Sequence, residues 1–144
     1  MIIKHLKREE FESILPLVWD VFLKYEAIEY PEKGKRAFYQ AIHSKVYQDM
    51  LDVYSAYDGN KLIGVIATRE NKTHIALFFV DGQYHRQGVG RKLFQECMNN
   101  NNSKIITVNS SIYAVDIYRK LGFVATDKVQ EEDGIRYIPM ALTR

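Results

Sequence analysis

The chain has a single cysteine, Cys97, so no internal disulfide can form and the cytosol is the default compartment. No apolar run exceeds strand length, which predicts no membrane span. Charges in Met1-Ile2-Ile3-Lys4-His5-Leu6-Lys7-Arg8 stand where a secretory signal would need an apolar core. A net charge of +2 is too small to argue for a nucleic-acid partner. The four histidines and one cysteine show no metal-ligand spacing, so no metal is expected. Repeats and low-complexity tracts are lacking too, apart from Asn99-Asn100-Asn101-Asn102, which reads as a helix exit and loop.

What remains is an ordinary globular composition, 47% hydrophobic and 26% charged over 144 residues, enough for one domain spanning 1–144 with its own core. Ten tyrosines can furnish the partly polar walls of a pocket. Ile2-Ile3 suits a short strand. From Arg8 to about Tyr25, Phe11, Ile14, Leu15, Val18 and Phe22 recur at helical spacing, and Pro16 either kinks this helix or marks a later start. A loop over Glu29–Gly34 leads to a second helix at 35–48, with Phe38, Ile42 and Val46 on one face. Val53–Tyr57 and Leu62–Arg69 form a hairpin about Asp58-Gly59-Asn60, and Thr73–Val80 is the next strand. Val89, Leu93, Phe94, Cys97 and Met98 line one helix face, with Cys97 reading as a small core residue. Ile105–Val108 is a buried strand. Ser110-Ser111 would cap a short helix that Gly122 stops, and Val124–Val129 pairs with Ile135–Leu142. Strand, two helices, three strands, helix, strand, helix and two strands make a mixed α/β fold.

The segment His85-Arg86-Gln87-Gly88-Val89-Gly90-Arg91 joins a strand to a helix through a glycine loop. Such a turn aims unpaired backbone N–H groups and the positive end of a helix dipole at one spot, which suits a phosphate or pyrophosphate. A dinucleotide fingerprint would need glycine where Leu93 stands, and a P-loop would need Gly-Lys-Ser/Thr where Gly88-Val89 stands; both fail. Downstream lies Asn109-Ser110-Ser111-Ile112-Tyr113-Ala114-Val115-Asp116-Ile117-Tyr118-Arg119-Lys120-Leu121-Gly122-Phe123.

Together these resemble the Gcn5-related N-acetyltransferase family, with its Gln/Arg-x-x-Gly-x-Gly/Ala loop followed by Asn…Ala-x-x-x-Tyr-x-x-x-Gly-Phe. The resemblance covers residues 53 to 143 well, in the manner of small bacterial members. It implies a mostly antiparallel twisted sheet of about seven strands flanked by helices, with the fourth and fifth strands splayed. It also implies acetyl-coenzyme A as cofactor. The loop amides and Arg86, with Arg91 and Lys92, would hold the pyrophosphate, glycine at 88 and 90 letting the backbone come close. His85 departs from the preferred Gln or Arg, a mild loss where amides do the binding. Phe78, Phe79 and Val80 would offer main-chain atoms to the pantetheine arm, Ala114 would let the cofactor approach, and Asn109 would bond the arm or the helix start. Tyr118 would be the acid that protonates the departing thiolate, unless its hydroxyl merely bonds backbone.

Within 113–121, Tyr113, Ile117 and Leu121 recur every four residues and suit a core face, leaving Ala114 and Tyr118 on a neighbouring stripe. The strand Thr73–Val80 carries no glutamate, where many relatives keep their base. His74 has the right intrinsic pKa and shares a strand face with Ala76, Phe78 and Val80, which makes it the candidate base. Glu26, Glu29 and Tyr30 are candidates for the acceptor pocket. His5 and His43 should face solvent. The expected activity is transfer of acetyl to a small-molecule or peptide amine, with a non-catalytic coenzyme A or acyl-coenzyme A sensor as the alternative; the resemblance leaves a homodimer open.

Overall fold

The computed structural model describes residues 1–144. Its centre is an eight-stranded sheet in the order β1-β2-β3-β4-β5-β8-β6, with β7 paired to β8. The strands are β1 Ile2–His5, β2 Asp52–Asp58, β3 Lys61–Arg69, β4 His74–Val80, β5 Ile105–Ser111, β6 Val124–Ala125, β7 Gln130–Glu132 and β8 Ile135–Thr143. Every pairing is antiparallel except β4 with β5. Eight strands appear rather than seven because the expected strand Val124–Val129 shortens to β6, while a separate β7 forms beyond it at Gln130–Glu132. The β7–β8 hairpin turns on Asp133-Gly134, both at positive φ, the two-residue turn that matches strand twist. No helix is long and apolar enough to cross a membrane.

The helical side differs from the sequence pattern in ways that matter. The pattern from Arg8 to Tyr25 is real, since Phe11, Ile14, Val18 and Phe22 are all buried. Its backbone, however, is 3-10 over Arg8–Ile14, then helix α1 Leu15–Val21, then a π turn Phe22–Glu26 and a 3-10 turn Ala27–Glu29. Pro16 therefore marks the later start, near the N-terminus of α1 where its missing N–H costs nothing. In the π turn Ala27 N–H bonds Phe22 C=O five residues back. Ala27 thus takes the buried position beneath Phe22, and Tyr25 and Glu26 are left half-buried beside it. The expected helix at 35–48 is two, α2 Glu32–His43 and α3 Lys45–Asp49, because Ser44 is extended and its side chain caps Tyr47 N–H. The break resets the periodicity: Val46 is 75% exposed, and Gln48 is buried instead, donating to Ile42 C=O at 2.8 Å.

One core lies between the sheet and α4 Val89–Asn99; a second lies between the opposite face and α1–α2. Gly64 on β3 lets α4 approach, since a Cβ there would sit 2.9 Å from Leu93 Cδ1. Between β3 and β4 the register steps from Ala67↔Leu77 to Thr68↔Ile75, leaving Ala76 as an extra residue in a bulge. The bulge moves the alternation by one, so Ile75, Phe78 and Val80 pack toward α4 while Leu77 and Phe79 pack toward α1. The parallel pairing of β4 with β5 ends there too, after His74↔Thr107 and Ile75↔Val108. Beyond that point each strand keeps only its outer partner, to Gly64↔Val80 on one side and Ser111↔Tyr137 on the other. The two strands splay into a V.

Candidate active site

The V opens into a cleft of about 480 Å³, within the range of small-molecule sites. Phe78, Phe79 and Val80 of β4 line one side. Ala114, Ile117, Tyr118 and Leu121, in and around α5 Val115–Lys120, line the other. One end is the loop His85–Gly88 with the first turn of α4, and Tyr25 and Glu26 from the π turn stand at the wall nearest α1.

The α4 end is built for an anion. Gly88 is its N-cap at φ 83, and no side chain caps the helix. Its first helical bond is Lys92 N–H to Gly88 C=O, so the amides of Val89, Gly90 and Arg91 have no helical acceptor. A Cβ on Gly88 would meet nothing within 4 Å, so glycine is required there by its left-handed backbone. A Cβ on Gly90 would make only ordinary contact with Phe78 and Val80 at 3.6 and 3.7 Å, so packing against β4 does not itself demand glycine there. Arg86, unlike Gly88, holds a left-handed φ of 64 with a full side chain, and that side chain borders the cleft. His85 donates from Nε2 to Val80 C=O at 2.8 Å, tying the loop to the end of β4 and occupying one lone pair of that carbonyl.

Tyr118 is 7% exposed, edge-on to Phe123 and Phe78 at 5.5 and 6.1 Å, and still borders the cleft. Burial, then the charge of Glu26, raise its pKa, so it is a phenol at any working pH. Glu26 is the one carboxylate on the wall. Burial pushes its pKa up to about 7, against the nearby Ser111 hydroxyl, which lowers it, while Glu29 raises it. Beside it Tyr25 stacks on Tyr113 at 5.8 Å and leans on His85 at 4.8 Å, an aromatic wall across the cleft.

An apolar slot between splayed strands, closed by an uncapped helix end at one side and a buried phenol at the other, is shaped for a long anionic ligand with a reactive tip. Residues 26–144 match the family described as the acetyltransferase (GNAT) domain. The chain belongs to the GNAT acetyltransferase family. No curated protein sequence matches it. Among solved structures it is similar to a GCN5-related N-acetyltransferase from Rhodopseudomonas palustris, with TM-score 0.80 and 17% identity over 99% of this chain and 95% of that one. It is also similar to the PaiA N-acetyltransferase of Thermoplasma acidophilum in complex with coenzyme A, with TM-score 0.76 and 20% identity over 99% and 98%. The ribosomal-protein-S18-alanine N-acetyltransferase of Escherichia coli follows at TM-score 0.66 and 19% identity, over 99% and 92%. At these identities the likeness is one of fold, and the family match carries the activity: an N-acetyltransferase using acetyl-CoA.

This GNAT fold brings together most of the residues singled out from sequence. Phe78, Phe79, Val80, His85, Arg86, Gly88, Val89, Gly90, Arg91, Ala114, Tyr118 and Glu26 all border the cleft. Others lie elsewhere. The bulge at Ala76 puts His74 on the other face from Phe78 and Val80, buried against Thr107 with Nδ1 2.8 Å from its hydroxyl. Asn109 sits inside β5 opposite Pro139, exposed and off the cleft wall. Gln87 turns back to donate to Gln83 C=O at 3.0 Å. Tyr30 packs edge-on to Phe22 at 4.9 Å, and Glu29 is exposed.

The α5 pattern is reversed: Val115 and Tyr118 are buried, while Tyr113 and Ile117, at 43% and 47% exposure, face the cleft. The helix is only six residues long, and Ser111 lies three residues before its N-cap Ala114, whose N–H it accepts at 3.2 Å. Val21, Tyr25, Tyr84, Tyr113, Ile117, Lys120 and Leu121 are wall residues that the motifs did not single out. The i, i+4 repeat of Tyr113 and Ile117 was visible, but its face could not be read from so short a helix.

Proposed function

We propose that the protein moves the acetyl group of acetyl-CoA onto a primary amine by direct attack, with no acetylated enzyme on the way. The observation that carries this is the placement of the uncapped α4 N-terminus and the buried Tyr118 phenol at two stations along one slot. The free amides of Val89–Arg91, aided by Arg86 and Arg91, suit a diphosphate; contacts to such charged groups are worth about 1.5–3 kcal/mol each. The inner edge of β4, unpaired beyond Ile75, offers main-chain groups to an amide-bearing arm. The donor supplies a thioester whose carbonyl an amine can attack. Backbone N–H of β4 would hold the oxygen that gains charge. Tyr118 gives its proton to the leaving sulfur; the apolar surroundings that weaken this acid also strengthen the thiolate as a base.

The test is thiol release from acetyl-CoA across a panel of primary amines, with cofactor affinity read separately by calorimetry. Tyr118→Phe should lower turnover about 100-fold and leave affinity for acetyl-CoA unchanged. Unaltered turnover in that variant removes Tyr118 from the chemistry. Binding with no thiol release from any amine would mark a metabolite sensor instead, the outcome that overturns the transferase reading.

A further inference from the structure

An amine that attacks a thioester must first be neutral, and nothing so far assigned takes its proton. The strand that carries the base in many relatives has no carboxylate here, and His74 lies on the wrong face of the bulge. We propose that Glu26 is the general base, receiving the acceptor as an ammonium ion at the wall of the cleft that faces Tyr118. This rests on the transferase reading above and deepens it.

Four observations carry the assignment. Glu26 is the single carboxylate bordering the cleft, so it is the one wall group that can pair with an ammonium and then accept its proton. The π turn puts it there: in an unbroken α-helix its position would follow Phe22 into the core, whereas Ala27 fills that place. Ser111 lies beside its carboxylate and favours the ionised form, with its oxygen fixed by Ala114 N–H at 3.2 Å. Its charge is felt at Tyr118, so the two groups share one site. Their surroundings give them opposite tasks, a carboxyl poised near neutrality and a phenol that stays protonated.

Other groups face Glu26 from each neighbouring element. Tyr25, Glu29 and Tyr30 come from its own helical stretch, Ser111 from the end of β5 and Tyr113 from just beyond it, and Tyr118 and Lys120 from α5. The loop contributes Arg86 and His85, the latter with Nε2 spent on Val80 C=O.

The step balances as follows. Glu26 takes one proton from R–NH3+; the nitrogen lone pair forms the C–N bond as the carbonyl π pair moves to oxygen. When that pair returns, the C–S bond breaks and the sulfur takes the Tyr118 proton. The second proton shed by nitrogen restores the phenol, and Glu26 passes its own to solvent. One proton is released per acetyl moved.

The experiment follows thiol release with an amine panel (a polyamine, an aminoglycoside and a peptide with a free N-terminus) as pH is varied. In the wild type kcat/KM should rise through an ionisation near neutrality. Glu26→Gln should lower turnover about 100- to 10,000-fold, abolish that limb and leave acetyl-CoA affinity intact. Ser111→Ala removes a hydroxyl that favours the ionised carboxylate, so it should move the limb to higher pH, which a purely structural role would not do.

A readout independent of turnover comes from thermal melts of the free protein. The folded pKa of Glu26 stands above its unfolded value of 4.5, so its favourable contribution is complete below that value and lost as pH rises through about 7. Glu26→Gln should therefore gain in Tm relative to wild type between about pH 4 and about pH 8. A Tm difference that is the same at both ends overturns the assignment. So does normal turnover of Glu26→Gln, or a limb that survives in it and vanishes in His85→Phe; each leaves the transferase reading standing. Failure of the wild type to acetylate any amine removes both.

Discussion

Replacing Arg86 should move two measured quantities in opposite directions. Its φ of 64 lies in the left-handed region, where an L side chain costs about 1 kcal/mol or more relative to glycine. The residue is exposed, so little packing is lost with the side chain. Arg86→Gly should therefore raise stability by about 1 kcal/mol, or Tm by about 3 °C for a chain of this length. Arg86→Ala keeps the strained backbone and should leave Tm near wild type, so the Gly–Ala difference isolates the conformational term.

Both variants lose the guanidinium that borders the cleft beside the uncapped end of α4. One charge-assisted contact of about 1.5–3 kcal/mol corresponds to a rise in the Kd for acetyl-CoA of about 10- to 150-fold. Calorimetry at two salt concentrations, alongside thermal melts, reads both effects. Equal melting of the Gly and Ala variants would refute the strain argument. Unchanged affinity would refute the claim that the guanidinium serves the anion.

Gly82→Ala should disturb the aromatic wall without unfolding the chain. Its Cβ would fall 1.9 Å from the Tyr25 hydroxyl, so that ring must swing, at about 1 kcal/mol, the low end for an overpacked site. The KM for the acceptor should rise while acetyl-CoA affinity holds; an unmoved acceptor KM would detach Tyr25 from acceptor binding. At His74, burial and then Arg69 push the imidazole pKa below 6.5, so the unfolded chain takes up a proton that the fold resists. Stability contributed by the neutral ring is present above 6.5 and lost as pH falls toward the folded pKa. Glu26 pulls the other way over that range, so the clean quantity is the Tm of His74→Gln minus that of wild type. It should climb as pH falls from about 6.5 to about 5, and a flat difference would refute the buried-imidazole reading.

Sequence made legible whatever depends on neighbours along the chain. The glycine loop needs only Gly88 at positive φ and the α4 pattern after it, and both are local. The hairpin about Gly59-Asn60 and the core stripe of Val89, Leu93 and Cys97 are of the same kind. What escaped depends on a single residue of slippage decided by tertiary packing. One extra residue at Ala76 reverses the face of His74, and one at the π turn frees Glu26. One extended residue at Ser44 cancels the stripe that ran to Val46. Periodicity assumes an unbroken period, so each break turns a correct pattern into a wrong face. Glu26 could be suspected of bordering a pocket, but nothing in its neighbours along the chain announced that the next residue would take its place in the core.

Three departures from regular backbone converge on one cleft: the bulge in β4, the π turn after α1 and the left-handed Arg86. Each solves a different part of the same problem. The bulge coincides with the end of β4–β5 pairing, which opens the slot and leaves one edge of β4 without a partner strand. The π turn brings a carboxylate to a wall that a continuous helix would have lined with core. The left-handed residue keeps a cation in a tight loop whose geometry favours glycine. Each departs from the geometry that local backbone preference favours, a departure that costs stability. If that trade is real, substitutions that regularise these points should share one signature, a higher Tm with weaker binding or turnover. Arg86→Gly and Glu26→Gln relieve the cost at two of them without altering the backbone, one by a conformational effect and one by an electrostatic effect. A variant at either point that melts higher and still acetylates normally would show that the irregularity there is incidental.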